Sequence, residues 1–142
     1  MRPLILILAL SLAAGASTAQ VVVRNGPTLT LTRNALGVES AVIGDPDAKG
    51  GLYSYIVKYP TGVSTPWHTH PDDRLITVLS GTLYLVSGPD HATPETAQAL
   101  PQGTVFEIKA GTRHHGWAKD GPVVLQETGL GPTANQMSPA KP

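Results

Sequence analysis

His68 and His70 stand two apart in the stretch Gly62 to Gly81, which reads Gly-Val-Ser-Thr-Pro-Trp-His-Thr-His-Pro-Asp-Asp-Arg-Leu-Ile-Thr-Val-Leu-Ser-Gly. On a β-strand, side chains two apart share a face and lie roughly 6.5 to 7 Å from each other. Two imidazoles so placed can converge on one ion. Downstream, His114 follows the turn residue Gly111 and offers a third nitrogen. Imidazole binds zinc, iron, nickel and copper alike, so the spacing indicates a divalent transition metal without selecting one. Surface positions on an edge strand are the alternative for a His-x-His pair. His114 and His115 are adjacent, so one ring faces inward and the other outward on an extended chain. The interval from Gly111 favours His114, with His115 at the surface or an interface. His91 falls in a polar connection and is expected in solvent.

These stretches resemble the two motifs of the cupin family. The first is a Gly, five residues, His-x-His, three or four residues, Glu, six residues, Gly; Gly62, His68, His70 and Gly81 match it. The second is a Gly, five residues, Pro-x-Gly, two residues, His, three residues, Asn; Gly103, Gly111 and His114 match. Lys109 stands at the Pro position, Ala118 at the Asn position, and Arg74 at the position of the family's Glu. The resemblance implies an all-β, double-stranded β-helix (jelly-roll) barrel with one metal ion inside, zinc, iron, manganese, nickel or copper. It implies His68, His70 and His114 as ligands and a small molecule as partner. It includes dioxygenases, isomerases, decarboxylases and non-catalytic binders, and the fold does not choose among them.

Arg74 is the departure with chemical consequences. A guanidinium cannot ligate a metal and carries a positive charge. Three outcomes are open. Arg74 pairs with Asp72, Asp73 or Glu127 while the histidines hold the ion; or it grips an anionic group of a substrate; or metal is lost and the pocket takes a small anion. Asp72, Asp73 and Glu107 are the candidate proton acceptors, and Asp72 is a weak candidate ligand. Gln126 is expected to be an exposed polar position. Tyr53, Tyr55 and Tyr84 are candidate aromatic walls or core residues, and Trp67 is expected to pack on a sheet face.

The remaining sequence must position these groups. The chain of 142 residues is sized for one domain, and only 14% of it is charged. With 10 Lys and Arg against 10 Asp and Glu there is no basic stripe, which argues against nucleic acid as a partner. There is no cysteine, so metal ligands are limited to nitrogen and oxygen. Fifteen Gly and 13 Pro divide the chain into short segments. Strands are expected at Gly37–Ile43, Leu52–Tyr59, Arg74–Leu79, Thr82–Val86, Val105–Ile108 and Pro122–Thr128, with a strand pair in Val21–Thr32. Ser80-Gly81 reads as a hairpin joining its two flanking strands. One helical turn is expected at Glu95–Ala99. Spacing alone leaves sandwich and barrel open; the motif resemblance selects the jelly roll.

Arg2, the apolar run Leu4–Ala14 and the small residues Ser17-Thr18-Ala19 form a secretory signal peptide by pattern, with cleavage after Ala19. The expected organisation is a signal peptide at 1–19, a cupin domain at 20–130, and a loose Pro-, Ala- and Ser-rich tail at 131–142. The mature protein would be periplasmic or secreted and free of the membrane. A homodimer is compatible with every reading.

Overall fold

The computed structural model describes residues 21–88 and 94–138. The expected signal peptide, His91 and the last four residues lie outside the described residues. Among the described residues eleven strands follow in chain order: β1 (Thr32–Arg33), β2 (Glu39–Gly44), β3 (Leu52–Tyr59), β4 (His68–Thr69), β5 (Arg74–Ser80), β6 (Thr82–Ser87), β7 (Gln98–Pro101), β8 (Val105–Ile108), β9 (His114–Trp117), β10 (Val123–Leu130) and β11 (Gln136–Met137). They form two antiparallel sheets, one ordered β1-β2-β3-β10-β5-β8 and the other β11-β4-β9-β6-β7. This is the jelly-roll fold that the resemblance to the cupin motifs implied. Among the described residues no helix is long and apolar enough to cross a membrane.

Alternation decides which side of each strand is inside. On β5, Ile76 and Val78 are buried while Leu75 and Leu79 face out. On β10, Val123, Leu125 and Glu127 point inward. The inward residues Val57, Ile76, Val78, Leu83, Leu100, Ile108 and Leu125 make the shared core. Burial of such side chains stabilises a fold by roughly 1.5–3 kcal/mol each.

Four sequence expectations need correction. Strands β5 and β6 do not pair: β5 lies between β10 and β8, and β6 between β9 and β7. Ser80-Gly81 is therefore a crossing from one sheet to the other, made with residues that equally suit a hairpin. Gly81 has φ +80°, and a Cβ there would stand 2.3 Å from the Pro122 carbonyl oxygen. Gly81→Ala is expected to cost more than about 2 kcal/mol through strain and overlap, read as a lowered urea midpoint.

The expected helical turn at Glu95–Ala99 is a single 3-10 turn at Pro94–Thr96, followed by β7. Leu100 on β7 is buried opposite Leu83, and that core contact favours the strand. The expected strand pair in Val21–Thr32 shrinks to β1, because Gly26–Thr28 forms a 3-10 turn containing Pro27. Finally, Gly131 to Ser138 is not a loose extension. Gly131 N–H donates to Gly51 O (2.8 Å), Thr133 N–H to Pro46 O (2.9 Å) and Ser138 N–H to Trp67 O (2.9 Å). Strand β11 closes the open edge of β4, with Gln136 opposite Thr69 and Met137 opposite His68.

Candidate metal centre

His68 and His114 face each other across the β4–β9 pair. His70 lies just past the end of β4 and two residues on from His68, so its ring returns to the same side. All three are buried, at 8%, 3% and 4% exposure for His68, His70 and His114. Their ring centroids are 4.3 to 4.9 Å apart. One ring nitrogen of each lies within 4.8 Å of those of the other two.

The second nitrogen of each ring is already committed. Nδ1 of His68 donates to Pro66 O (2.8 Å), Nδ1 of His70 to Ala134 O (3.1 Å), and Nδ1 of His114 to Thr112 O (2.8 Å). A carbonyl oxygen only accepts, so Nδ1 carries the proton in all three rings. Each Nε2 then presents a lone pair. This is the tautomer and the outer support of an imidazole that ligates a metal through Nε2. The donor set therefore fits a divalent transition metal.

Burial pushes all three rings below the ordinary imidazole value of 6.5. His70 falls to about 3, first from burial and then from the Arg74 charge. His114 falls to about 4, first from burial, with the His68 and Arg74 charges adding to it. His68 is lowered chiefly by burial. Neutral rings ready for a metal are thus the state at neutral pH. The unfolded chain takes up protons near 6.5, whereas the folded rings wait until about 3 to 4. Stability of the metal-free protein is therefore whole above about pH 6.5 and declines as pH falls through that window. At pH 5 the expected loss is about 2 kcal/mol for each of His70 and His114. Urea denaturation at pH 7.5 and 5 in chelator checks this, and His70→Gln should show the shallower decline.

Arg74 opens β5 and is buried at 4% exposure. Its Nη1 donates to Glu127 Oε2 at 2.8 Å and its Nη2 to Thr133 Oγ1 at 2.8 Å. Its Nε lies 3.8 Å from Asp72 Oδ2 and has no hydrogen-bond partner. Thr133 Oγ1 in turn donates to Asp72 Oδ1, and Asp72 Oδ2 accepts from Tyr53 Oη. Tyr53 is pushed up to about 12 by burial and by that bond to Asp72. Gly129 makes room for the arrangement, since a Cβ there would stand 2.5 Å from Tyr53 Oη and 2.6 Å from Asp72 Oδ2. Of the partners open to Arg74, Glu127 and Asp72 are taken. Asp73 instead accepts from Lys109 Nζ (3.0 Å) and the Ala110 N–H (2.8 Å).

A cavity of about 350 Å³ joins the histidines to this network. Arg74 and Glu127 are the charged side chains in its lining, and Tyr55, Val57, Ile76, Phe106 and Leu125 form much of its apolar wall. The carboxylate in the cavity is thus Glu127. Asp73 and Glu107 sit outside on Lys109, and Asp72 lies behind Arg74. Sequence reading named Glu127 only as a partner for Arg74, and it missed Thr133 and Ala134 altogether. His115 is not a surface residue: it is buried at 8% exposure, within 3.2 Å of Ser64 Oγ and edge-on to Trp67. Trp67 packs there under the Arg113 guanidinium, as expected for a sheet face. Gln126 donates to Ser54 Oγ, and Tyr84 donates to Asp120, both away from the cavity.

Known proteins bear out the fold. A family model of the cupin domain matches residues 55–127. No protein of curated function matches the sequence. The polyketide cyclase RemF from Streptomyces resistomycificus has a similar structure, with TM-score 0.68 and 15% identity, covering 86% of this chain and 88% of its own. KdgF from Halomonas sp. gives 0.63 at 17% identity, covering 78% and 94%. The iron(II) form of HppE gives 0.59 at 14% identity, covering 77% and 60%. At such identities the likeness is one of fold. The family model spans half of the chain and the two antiparallel sheets form a jelly roll, so the protein belongs to the cupin family.

Proposed function

We propose that this protein is an exported, metal-dependent cupin acting on a small molecule, with one divalent transition metal held by His68, His70 and His114. The observation that carries the reading is the shared tautomer in a close group: three buried rings each spend Nδ1 on a backbone carbonyl, which leaves Nε2 with its lone pair, and one nitrogen of each ring lies within 4.8 Å of those of the other two. Three protein ligands leave coordination positions for water, dioxygen or a bidentate ligand, and such an ion supplies Lewis-acid or oxygen chemistry when bound. The chain's own residues do the rest. The apolar wall excludes water, Arg74 orients the polar end of the ligand, and Glu127 presents a carboxylate to it. Oxygenase and isomerase chemistry both suit this arrangement.

The alternative, a metal-free pocket that captures an anion through Arg74, runs against the local charges. Glu127 and Asp72 together outweigh the guanidinium, so without a cation the pocket repels an anion. Elemental analysis of mature protein, purified without added metal or chelator, tests the reading. One equivalent of zinc, iron, manganese, nickel or copper is expected; protein that folds and takes up none would refute it. Export rests on the apolar run Leu4–Ala14 and the small residues before Gln20. Self-association is proposed through the outer face of the six-stranded sheet, where Leu75, Leu79 and Val105 are exposed.

A further inference from the structure

We infer that the cavity selects singly charged, oxygen-chelating anions with an apolar body, which rests on the reading that the three histidines hold a divalent ion. The argument is one of buried charge. Arg74, Asp72 and Glu127 are buried at 4%, 9% and 8% exposure. Arg74 is bonded to Glu127 at 2.8 Å and lies 3.8 Å from Asp72. One guanidinium against two carboxylates leaves one negative charge at this end of the cavity. The three histidines are neutral, so a divalent ion turns that balance into one positive charge. A monoanion brings the site to zero. A neutral ligand leaves a positive charge uncompensated, and a dianion leaves a negative one. Either residue of charge is costly away from water.

The same arithmetic reassigns the role of Arg74. Its charge is already spent on Glu127 and Asp72, so net attraction for an anion comes from the ion. Arg74 contributes direction, through guanidinium N–H groups beside those given to Glu127 and Thr133. The body of the ligand meets Tyr55, Val57, Ile76, Phe106 and Leu125 in about 350 Å³, room for a single ring or a short branched chain. Enolates, hydroxyketone anions and hydroxamates of that size have the required charge and paired oxygens.

Calorimetric titration of zinc-loaded and zinc-free protein with tropolonate, a monoanion, and phthalate, a dianion, tests this. Zinc content is measured before and after each titration. Zinc-loaded protein is expected to bind tropolonate, and zinc-free protein to bind neither. Glu127→Gln raises the local charge by one, so the tropolonate-to-phthalate affinity ratio should fall roughly tenfold to a hundredfold. Taking this ratio of ratios cancels the intrinsic difference between the two chelators. Asp72→Asn makes the same charge change without touching the cavity lining, and serves should Glu127→Gln fail to fold. Binding of either probe without zinc, no binding of tropolonate with zinc in place, or a ratio unmoved by both variants would overturn the inference. Failure to take up zinc at all would instead overturn the metal reading beneath it.

Discussion

His70→Ala is expected to lower zinc or cobalt affinity by more than about a hundredfold while leaving the protein folded, and His114→Ala to do the same. Loss of an outer-layer partner of a metal ligand costs about 10- to 100-fold, and loss of the ligand itself exceeds that. The fold should survive because neither ring is a large part of the core, which is built from aliphatic side chains of both sheets. Alanine at either position also removes a buried imidazole whose charged form the site penalises. The discriminating control is His115→Ala. That ring is next in sequence to a ligand but points the other way, onto Trp67 and Ser64. It should keep metal affinity within a few-fold and lose only packing. Isothermal titration with zinc, alongside chelator-treated melting curves, reads both effects. Full metal stoichiometry in His70→Ala, or loss of metal in His115→Ala, would reverse the ligand assignment.

The largest expected effect on stability is at Arg74. Arg74→Met removes the cation from between Glu127 and Asp72 and leaves two buried carboxylates facing one another's field. Breaking a buried pair from one side typically costs about 3–5 kcal/mol, because the remaining charge is stranded. It also strips Thr133 of the donor on one side of its hydroxyl. Arg74→Glu, which restores the residue usual for the family, should be worse in the metal-free state, since a third carboxylate then stands beside those of Glu127 and Asp72 with no cation among them. Pairing Arg74→Met with Glu127→Gln should recover part of the loss, since the two sites are in contact and their effects do not add. Urea denaturation of the single and double variants in chelator measures the coupling. Additive losses would mean that the 2.8 Å contact contributes nothing in solution.

Much of this centre could be read from residue spacing. Gly62 and Gly81 at fixed offsets from His68 and His70, with Gly111 ahead of His114, are turn positions of positive φ that match the family's motifs, and the rings of the β4 and β9 segments do meet. Strand β3 was legible because Leu52–Tyr59 is β-branched and aromatic throughout. What escaped was set by tertiary pairing. Ser80-Gly81 has the composition of a hairpin, and only occupied edges on both neighbouring strands show that it changes sheets. Thr133 and Ala134 sit in a stretch with no alternation, and their work is done by one hydroxyl and one backbone carbonyl. Backbone groups carry no sequence signal. The charge at Arg74 looked hostile to a metal until Glu127, 53 residues away, and Asp72 were placed against it.

Crystallography of zinc-soaked protein with anomalous scattering at the metal edge tests the central claim most directly. One ion is expected inside the barrel, about 2.0–2.1 Å from Nε2 of His68, His70 and His114, with Nδ1 of each ring still on its carbonyl. An ion bound elsewhere, such as on the exposed carboxylates of Asp73 and Glu107, with the three rings left bare, would contradict the account.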